Sequence, residues 1–456
     1  MKIVPIILTV VLPLTIVGCA STNPGAALND VGKTVAERTG QQINGVSNDL
    51  IKVLLQTNLT AQSAVTIALL NNKSLQAEFE EVGIFQAELA QASRLHNLEF
   101  AGSWRLPDVP PSYVDAEYSA SADFLDLLTM PARKKVAVRN LKQTKAEVAD
   151  KVLQLAADTQ TAFYNLQAQM ELVKRLETIL EANDAAADFA QRQFDAGNVN
   201  ELALHDQQAP AFQSRLDLMQ AKAEVRSQRE QLNRLLGLSD EQINWQIADE
   251  LPSLPANEIS LTNLESLAVN QRLDLMAKRN QMESIAAVLR LKEHTRFIPV
   301  AAIGVDAEQR PDGENVAIIG PTLDLEIPIF DQGQPAVAKL AAEFRQAKDN
   351  YAAMEINIRS EVRDSENDLH AAREAVVFSE NNLLPLRQTI LKETLLQYNA
   401  MQKNSFDLLV AKEDEQKAEQ SDVEALRDYW IARVKLERAV GGRLTDKSNH
   451  LERSQP

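Results

Sequence analysis

Apart from Cys19, the 456-residue sequence contains no cysteine, so no disulfide can form within it and stability must come from packing. Glycine and proline are sparse at 15 and 17, and aromatic residues make up 5%. Ala, Leu, Gln and Glu are abundant instead, which is a helix-forming composition. Positive charge is also scarce: the formal net charge is −17. That excludes nucleic acid as a partner, because phosphate binding needs clustered Lys and Arg, and it argues against an electrostatic dock on anionic lipid. The five histidines (His96, His205, His294, His370 and His450) are scattered with no pair at i, i+4, so no metal site is expected. No nucleophile elbow, phosphate-cradling glycine loop or compact carboxylate pair is present, and no catalysis or cofactor is expected.

The one long apolar run lies at the start. Met1-Lys2 is followed by apolar Ile3 to Val17, and Ile16-Val17-Gly18-Cys19 ends the run. This reads as a secretory signal over 1–18, too short for a spanning helix, which needs about 20 apolar residues. Ile-Val-Gly-Cys resembles a bacterial lipobox, which would make Cys19 the lipid-attachment residue at the head of a tether over 19–58. Ala20 rather than Asp follows it, resembling outer-membrane sorting.

The rest reads as one unit written twice. Leu75-Gln76-Ala77 answers Leu275-Met276-Ala277, and Val136-Ala137 answers Val337-Ala338. Gln193-Phe194-Asp195-Ala196 answers Gln397-Tyr398-Asn399-Ala400, and Leu232-Asn233-Arg234 answers Leu436-Glu437-Arg438. The offset stays near 200 residues, so the period is a whole domain, not a solenoid turn. We expect a first repeat over 59–237, a connector over 238–261 lying against the long helices, a second repeat over 262–442, and a disordered polar tail over 443–456. In each repeat a helix (from Leu59, with Thr60 as N-cap, in the first) leads into a β-hairpin, at about 97–128 and 297–329, and then into a long helical hairpin.

Within the hairpins the period changes to two. Tyr118, Ala120, Ala122 and Phe124 alternate with Asp115, Glu117, Ser119, Ser121 and Asp123; Leu323, Leu325, Ile327 and Ile329 alternate with Thr322, Asp324 and Glu326. Turns are expected at Pro107, Asp108, Pro110 and Pro111, and at Arg310-Pro311-Asp312-Gly313. Strands of about ten residues with an apolar outer face and an acidic inner one match a transmembrane β-barrel wall. Asp115, Glu117, Asp123, Asp324 and Glu326 would then keep the lumen wet. Four strands cannot close, since the smallest barrels have about eight, and an open sheet edge is forbidden in lipid. The barrel must be shared between chains.

The long helices carry a heptad-type seam at Val152, Leu155, Thr159, Phe163, Leu166, Met170, Val173 and Leu180. Arg133 to Phe194 contains no Pro or Gly and at 1.5 Å per residue reaches about 90 Å. Its counterpart from Ala336 to Tyr398 carries only Pro385. The fold class is therefore an α+β membrane protein, a long coiled-coil structure continuous with a shared transmembrane β-barrel.

The lipobox, the duplication, Pro328-Ile329-Phe330-Asp331-Gln332-Gly333-Gln334, the Phe194-Asp195-Ala196-Gly197 turn, and Ala425 to Trp430 with Leu436 to Gly442 together resemble the outer-membrane efflux channel family typified by TolC, in its lipoprotein branch. The resemblance spans about Leu59 to Gly442. It implies a homotrimer with a twelve-stranded barrel in the outer membrane and a helical tunnel in the periplasm. It also implies a periplasmic adaptor and an inner-membrane pump as partners. The function implied is passive exit of drugs or metal ions; a type I protein-secretion duct and a non-conducting periplasmic coiled-coil scaffold are the alternatives. The first hairpin departs from the family pattern, with Leu127-Leu128-Thr129-Met130-Pro131-Ala132-Arg133 in place of the Pro-Ile-Phe-Asp-Gln-Gly form.

The helical turns near Gly197 and Asn404 should form the tunnel tip, with Phe194, Gly197, Tyr398 and Asn404 as adaptor contacts. Gly197 suits a helix C-cap of positive φ, and Asn404 is expected to substitute for it in the second turn. Asp407 matches the family's pore-constricting aspartate, and three symmetry-related copies would repel one another and attract cations. The family's second constricting acid is Val410 here, so a single acidic ring is expected.

Overall fold

A computed structural model describes residues 24–40, 48–106, 108, 114–256, 263–298, 300–310 and 316–444. Cys19 and the signal segment, the expected turn residues Pro107, Pro110, Pro111 and Pro311-Asp312-Gly313, and tail residues 445–456 lie outside these. The chain divides into two compact units.

The larger unit draws on Val31–Phe79, Ala146–Arg279 and Lys348–Pro456. The stretch expected as a tether contains two helices, α1 (Pro24–Thr39) and α2 (Asn48–Gln56). Val31 and Val35, one turn apart, are buried, as is Ile51. So few apolar positions gave no clear period in the sequence, but they suffice to dock a helix.

The single helix expected from Leu59 is two, α3 (Ala61–Asn71) and α4 (Lys73–Ala92), separated at Asn72. Thr60 does cap the first: its hydroxyl accepts the Ser63 N–H at 3.1 Å while Ser63 Oγ accepts the Thr60 N–H at 2.8 Å. Helix α5 (Phe124–Asp195) runs 72 residues without interruption, and α6 (Glu201–Leu236) returns from it. The seam residues Val152, Thr159, Phe163 and Leu166 are buried at 3% exposure or less. Phe163 and Leu166 form a core with Leu232, Leu236 and Ile67.

The connector does not simply lie outside that core. After a 3₁₀ turn at Asp240–Ile243 it inserts Trp245, which is 1% exposed and donates its indole N–H to Asn233 Oδ1 at 2.8 Å. Arg229 covers the ring at 4.1 Å. A buried indole needs a hydrogen-bond acceptor, and Asn233 on α6 supplies it.

The second half adds α7 (Leu264–Gln271), α8 (Leu273–Thr295), α9 (Gln334–Phe378), α10 (Leu384–Asn399) and α11 (Ser405–Val440). Between α9 and α10 a π-helical stretch, Ser379–Leu383, precedes Pro385. Proline lacks an N–H and its ring collides with the carbonyl four residues back, and the wider π turn accommodates both.

The smaller unit draws on Met1–Asp30, Glu80–Lys145 and Asn280–Ala347. It holds an antiparallel sheet in the order β1 (Glu99–Arg105), β2 (Asp115–Asp123), β3 (Ala301–Arg310), β4 (Val316–Leu325). Its helices are joined by Arg139–Glu283 at 2.6 Å and by Ser284 Oγ donating to Asn140 Oδ1 at 2.5 Å.

The strands stop earlier than their alternation suggested. β2 ends at Asp123, whose carboxylate accepts the Leu125 N–H at 2.9 Å and starts α5 at Phe124. Phe124 to Leu128 are therefore helical. β4 ends at Leu325, leaving Ile327 and Ile329 in an irregular exit. That exit closes at Gly333 (φ +77°), whose N–H is accepted by Asp331 Oδ1 at 2.8 Å. Among the described residues no helix is long and apolar enough to cross a membrane.

Candidate functional site

The register of the sheet sorts its side chains by chemistry. Ala120 lies between Phe100 and Val305, Tyr118 between Gly102 and Ala307, and Ala122 beside Ile303, which pairs with Leu323. Successive strand residues alternate faces, so all of these share one face, together with Trp104, Ile319 and Leu325. The opposite face carries Glu99, Ser103, Arg105, Asp115, Glu117, Ser119, Ser121, Asp123, Asp306, Glu308, Thr322 and Asp324.

Four of the five expected acids thus fall on one polar face. Glu326 does not: it lies one residue past β4, its N–H bonded to Val300 O at 3.2 Å. Glu99, Asp306 and Glu308 were missed, although Ile303, Val305 and Ala307 alternate with the latter two as plainly as any pair in β2. Arg105 forms weak, exposed ion pairs on the polar face, meeting Glu117 at 3.1 Å and Asp115 at 3.7 Å.

Among the described residues, the large side chains of the apolar face have no cover. Phe100 is 66% exposed, Leu323 63%, Ile319 61% and Val305 52%. Each half-exposed side chain forgoes roughly 1 kcal/mol or more of burial, and an apolar patch this continuous marks a surface built for another apolar phase. Toward the β1–β2 turn, Trp104 and Tyr118 meet edge-to-face at 5.8 Å, and the indole N–H donates to the phenol at 3.1 Å. Amphipathic aromatics at the end of an apolar band are what a membrane–water boundary selects. Ten-residue strands such as β3 reach roughly 33 Å, enough for a barrel's apolar band of about 25 Å. β1 and β4 are free edges in the sheet order, and their unpaired ladder groups need partners in any water-free medium.

The larger unit supplies the turns. Gly197 takes φ +74° and its N–H bonds to Phe194 O at 2.8 Å, as expected of a left-handed C-cap. In the second turn that place belongs to Met401 (φ +58°), not Asn404. Asn404 is the N-cap of α11 at φ −96°, accepting the Asp407 N–H at 2.9 Å, just as Asn200 caps α6 by accepting the Ala203 N–H at 2.9 Å. The two turns match position for position, Gly197 with Met401 and Asn200 with Asn404. An asparagine just before a helix serves better as a cap acceptor than in the left-handed region, and that signal identifies it.

Asp407 is the third helical residue and completes the capping box, its carboxylate accepting the Asn404 N–H at 3.1 Å with Lys403 Nζ at 3.5 Å. Its side chain is 38% exposed. Beside the turns lies a cleft of about 280 Å³ lined by Phe189, Val199 and Ala203 from one turn and Tyr398, Ser405 and Phe406 from the other. Phe194 and Tyr398 are partly exposed. Among the described residues no group of His, Cys, Asp and Glu is arranged to hold a metal.

With this geometry in view, the chain proves similar to known proteins. Residues 64–238 match the family model described as outer membrane efflux protein. Over 394 residues, covering 84% of this chain and 90% of the relative, it is 22% identical to the cobalt-zinc-cadmium resistance protein CzcC of Cupriavidus metallidurans. The fold matches the CmeC outer membrane channel of Campylobacter jejuni with TM-score 0.72 at 16% identity, over 86% of this chain and 88% of that one. It matches CusC with TM-score 0.70 at 16% identity, over 84% and 92% of the two chains. The family model is thus one of efflux proteins, and both solved structures are of channel-forming proteins.

Proposed function

We propose that this chain, a relative of the outer membrane efflux proteins with the fold of their channels, builds one third of a passive exit duct in the outer membrane. The observation that carries the reading is the four-stranded sheet with an uncovered apolar face, an acidic opposite face and two free edges. Three copies edge to edge remove every edge and close a twelve-stranded barrel, a size the barrel family allows. The paired halves then descend from one duplicated unit, and the long helices line a tunnel in the periplasm.

Cys19 carries the lipid, which alone holds only marginally, so the barrel does most of the anchoring. The turns at Gly197 and Met401, with Phe194, Tyr398 and Asn404, meet a periplasmic adaptor, and an inner-membrane pump supplies the energy. Metal cations are the favoured cargo, supported by the similarity to a cobalt-zinc-cadmium resistance protein and by the acidic inner face. A scaffold without a channel would have no use for a sheet sorted in this way.

Purified full-length protein in planar bilayers tests the duct: a folded trimer giving no channel events contradicts it. In the same assay Asp407→Asn keeps a capping acceptor for the Asn404 N–H but removes the charge. If three Asp407 side chains form a ring, resting conductance rises and block by multivalent cations weakens; parent-like values remove Asp407 from the gate.

A further inference from the structure

We propose that the groove under the middle of the sheet, between the start of α5 and the end of α8, binds an anionic phospholipid. Lys135 and Arg290 face its phosphate, and Leu128, Leu291, Phe297 and Ile298 receive the upper acyl chain. The proposal rests on reading the sheet as a membrane wall.

The groove encloses about 500 Å³, and those six residues are among its lining. It begins where the strands end: Ala122 pairs with Ile303 on the apolar face, Asp123 pairs with Ala302, and β2 runs straight into α5. The apolar face therefore continues into the groove without an intervening loop. Leu127 and Leu128 on α5 are 50% and 61% exposed, and Phe297 in the turn after α8 is 54% exposed, so large apolar side chains cluster uncovered beside the groove.

The charge is the second observation. Residues 124–135 and 287–298 together hold six Lys and Arg against two acids, in a chain whose net charge is −17. One acid is already occupied: buried Asp126 accepts the His96 N–H at 2.8 Å, lies 2.7 Å from the His96 ring, and pairs with Arg133. Arg296 lies over the Phe297 ring at 4.4 Å. Among the described residues Lys135 and Arg290 have no ion-pair partner, and both are exposed. The second hairpin exit, Pro328 to Gln334, contains Asp331 and no cation.

Lys135, about two helical turns past the exposed Leu128, and Arg290 from α8 line the same groove and are well placed for a lipid boundary, where ammonium and guanidinium groups reach phosphates and apolar side chains reach acyl carbons. This also gives a use to the departure of the first hairpin exit from the family pattern. The net charge of −17, which argues against an electrostatic dock of the whole chain, does not weigh on this groove, because charge acts within about 10 Å.

The test is native mass spectrometry of delipidated full-length protein titrated with phosphatidylglycerol, with phosphatidylcholine as the zwitterionic control. We expect retained phosphatidylglycerol adducts and weaker phosphatidylcholine binding. Lys135→Gln with Arg290→Gln should weaken phosphatidylglycerol about 25-fold, at about fivefold per cation. The exposed cations Arg226 and Lys392, changed to Gln together, should leave it unchanged. Leu128→Ser should also weaken binding, and Lys135→Arg should retain it.

Equal binding of the two lipids, or no loss in the double variant, overturns the proposal. So does equal competition by glycerol phosphate, which would mean an anion site without a lipid. A double variant that falls into single chains would mean the groove holds a second copy, also overturning it. Bilayer conductance of the parent protein reports on the duct separately, since the lipid titration is made in detergent and needs no channel.

Discussion

The same helix break is built twice in the larger unit, once from amides and once from ions. In the first, Asn71 donates its amide to Leu236 O at 3.1 Å and Gly237 O at 2.7 Å, and Asn72 donates to Leu235 O at 2.9 Å. In the second, Arg272 stands where Asn72 does. It reaches Ala439 O at 3.3 Å and pairs with Asp274 at 2.6 Å and Glu361 at 2.5 Å. Each break packs against a glycine in the left-handed region, Gly237 (φ +68°) or Gly441 (φ +88°), that ends the returning helix. The carbonyls exposed at a helix end need donors, and either an amide or a guanidinium serves. The amide leaves no charge behind if it is lost; the guanidinium leaves two carboxylates.

Arg272→Met should therefore be the most damaging change, because Arg272 is 7% exposed and its loss leaves the half-buried Asp274 without its ion-pair partner. Breaking one side of a buried pair costs about 3 kcal/mol or more, and the half-exposed Glu361 keeps the loss at the lower end. Asn72→Ala should cost about 1–2 kcal/mol. Denaturant midpoints of the two variants check the order; equal losses would break the comparison.

Next in size is Gly237→Ala. A Cβ there would sit 2.8 Å from the Asn71 carbonyl oxygen, whereas one at Gly441 meets Arg272 atoms at 3.2 Å. Both replacements carry the left-handed strain of about 1–2 kcal/mol, but the first forces backbone further apart. Thermal unfolding should rank Gly237→Ala below Gly441→Ala.

The smallest effect is of pH. Burial pushes the Asp274 carboxyl up, but hydrogen bonds and charge from Arg272 outweigh it and hold the group below its usual range. A depressed carboxylate adds stability that is present above about pH 4 and lost as pH falls through its folded value. Asp150 in the same cluster is raised, by burial only partly offset by Arg438, so its protonation on the way down favours the fold before Asp274 titrates. The Leu275 N–H bonds to Asp274 at 2.8 Å and the Leu75 N–H to Asn72 at 3.0 Å. Hydrogen exchange should show Leu275 losing protection below pH 4 while Leu75 keeps it; parallel behaviour would contradict the ion-pair account.

Much of this was legible in the sequence, for definite reasons. The seam from Val152 to Leu166 and the alternation from Tyr118 to Ala122 are dictated by burial on one side, which periodicity records. The breaks at Asn72 and Arg272 were not legible, since apolar spacing continues across them and neither holds Pro or Gly. Strand ends were overrun because Asp123, in phase with the polar face, is also the residue that starts α5. Asp407 was read for its charge, while its capping geometry follows from Asn404 three residues earlier. The uncovered sheet face is the part that fits only an assembly, so no single-chain packing pattern encodes what covers it.

The most direct test of the central claim is the environment of that sheet. Single cysteines at Val305, Ile319 and Leu323, and at Asp306, Ser121 and Thr322, would be probed in liposomes with a water-soluble maleimide. The account predicts labelling of the second set and protection of the first, alternating residue by residue between Val305 and Asp306. Equal labelling of both sets, or protection of both, would contradict a membrane wall with a wet inner face.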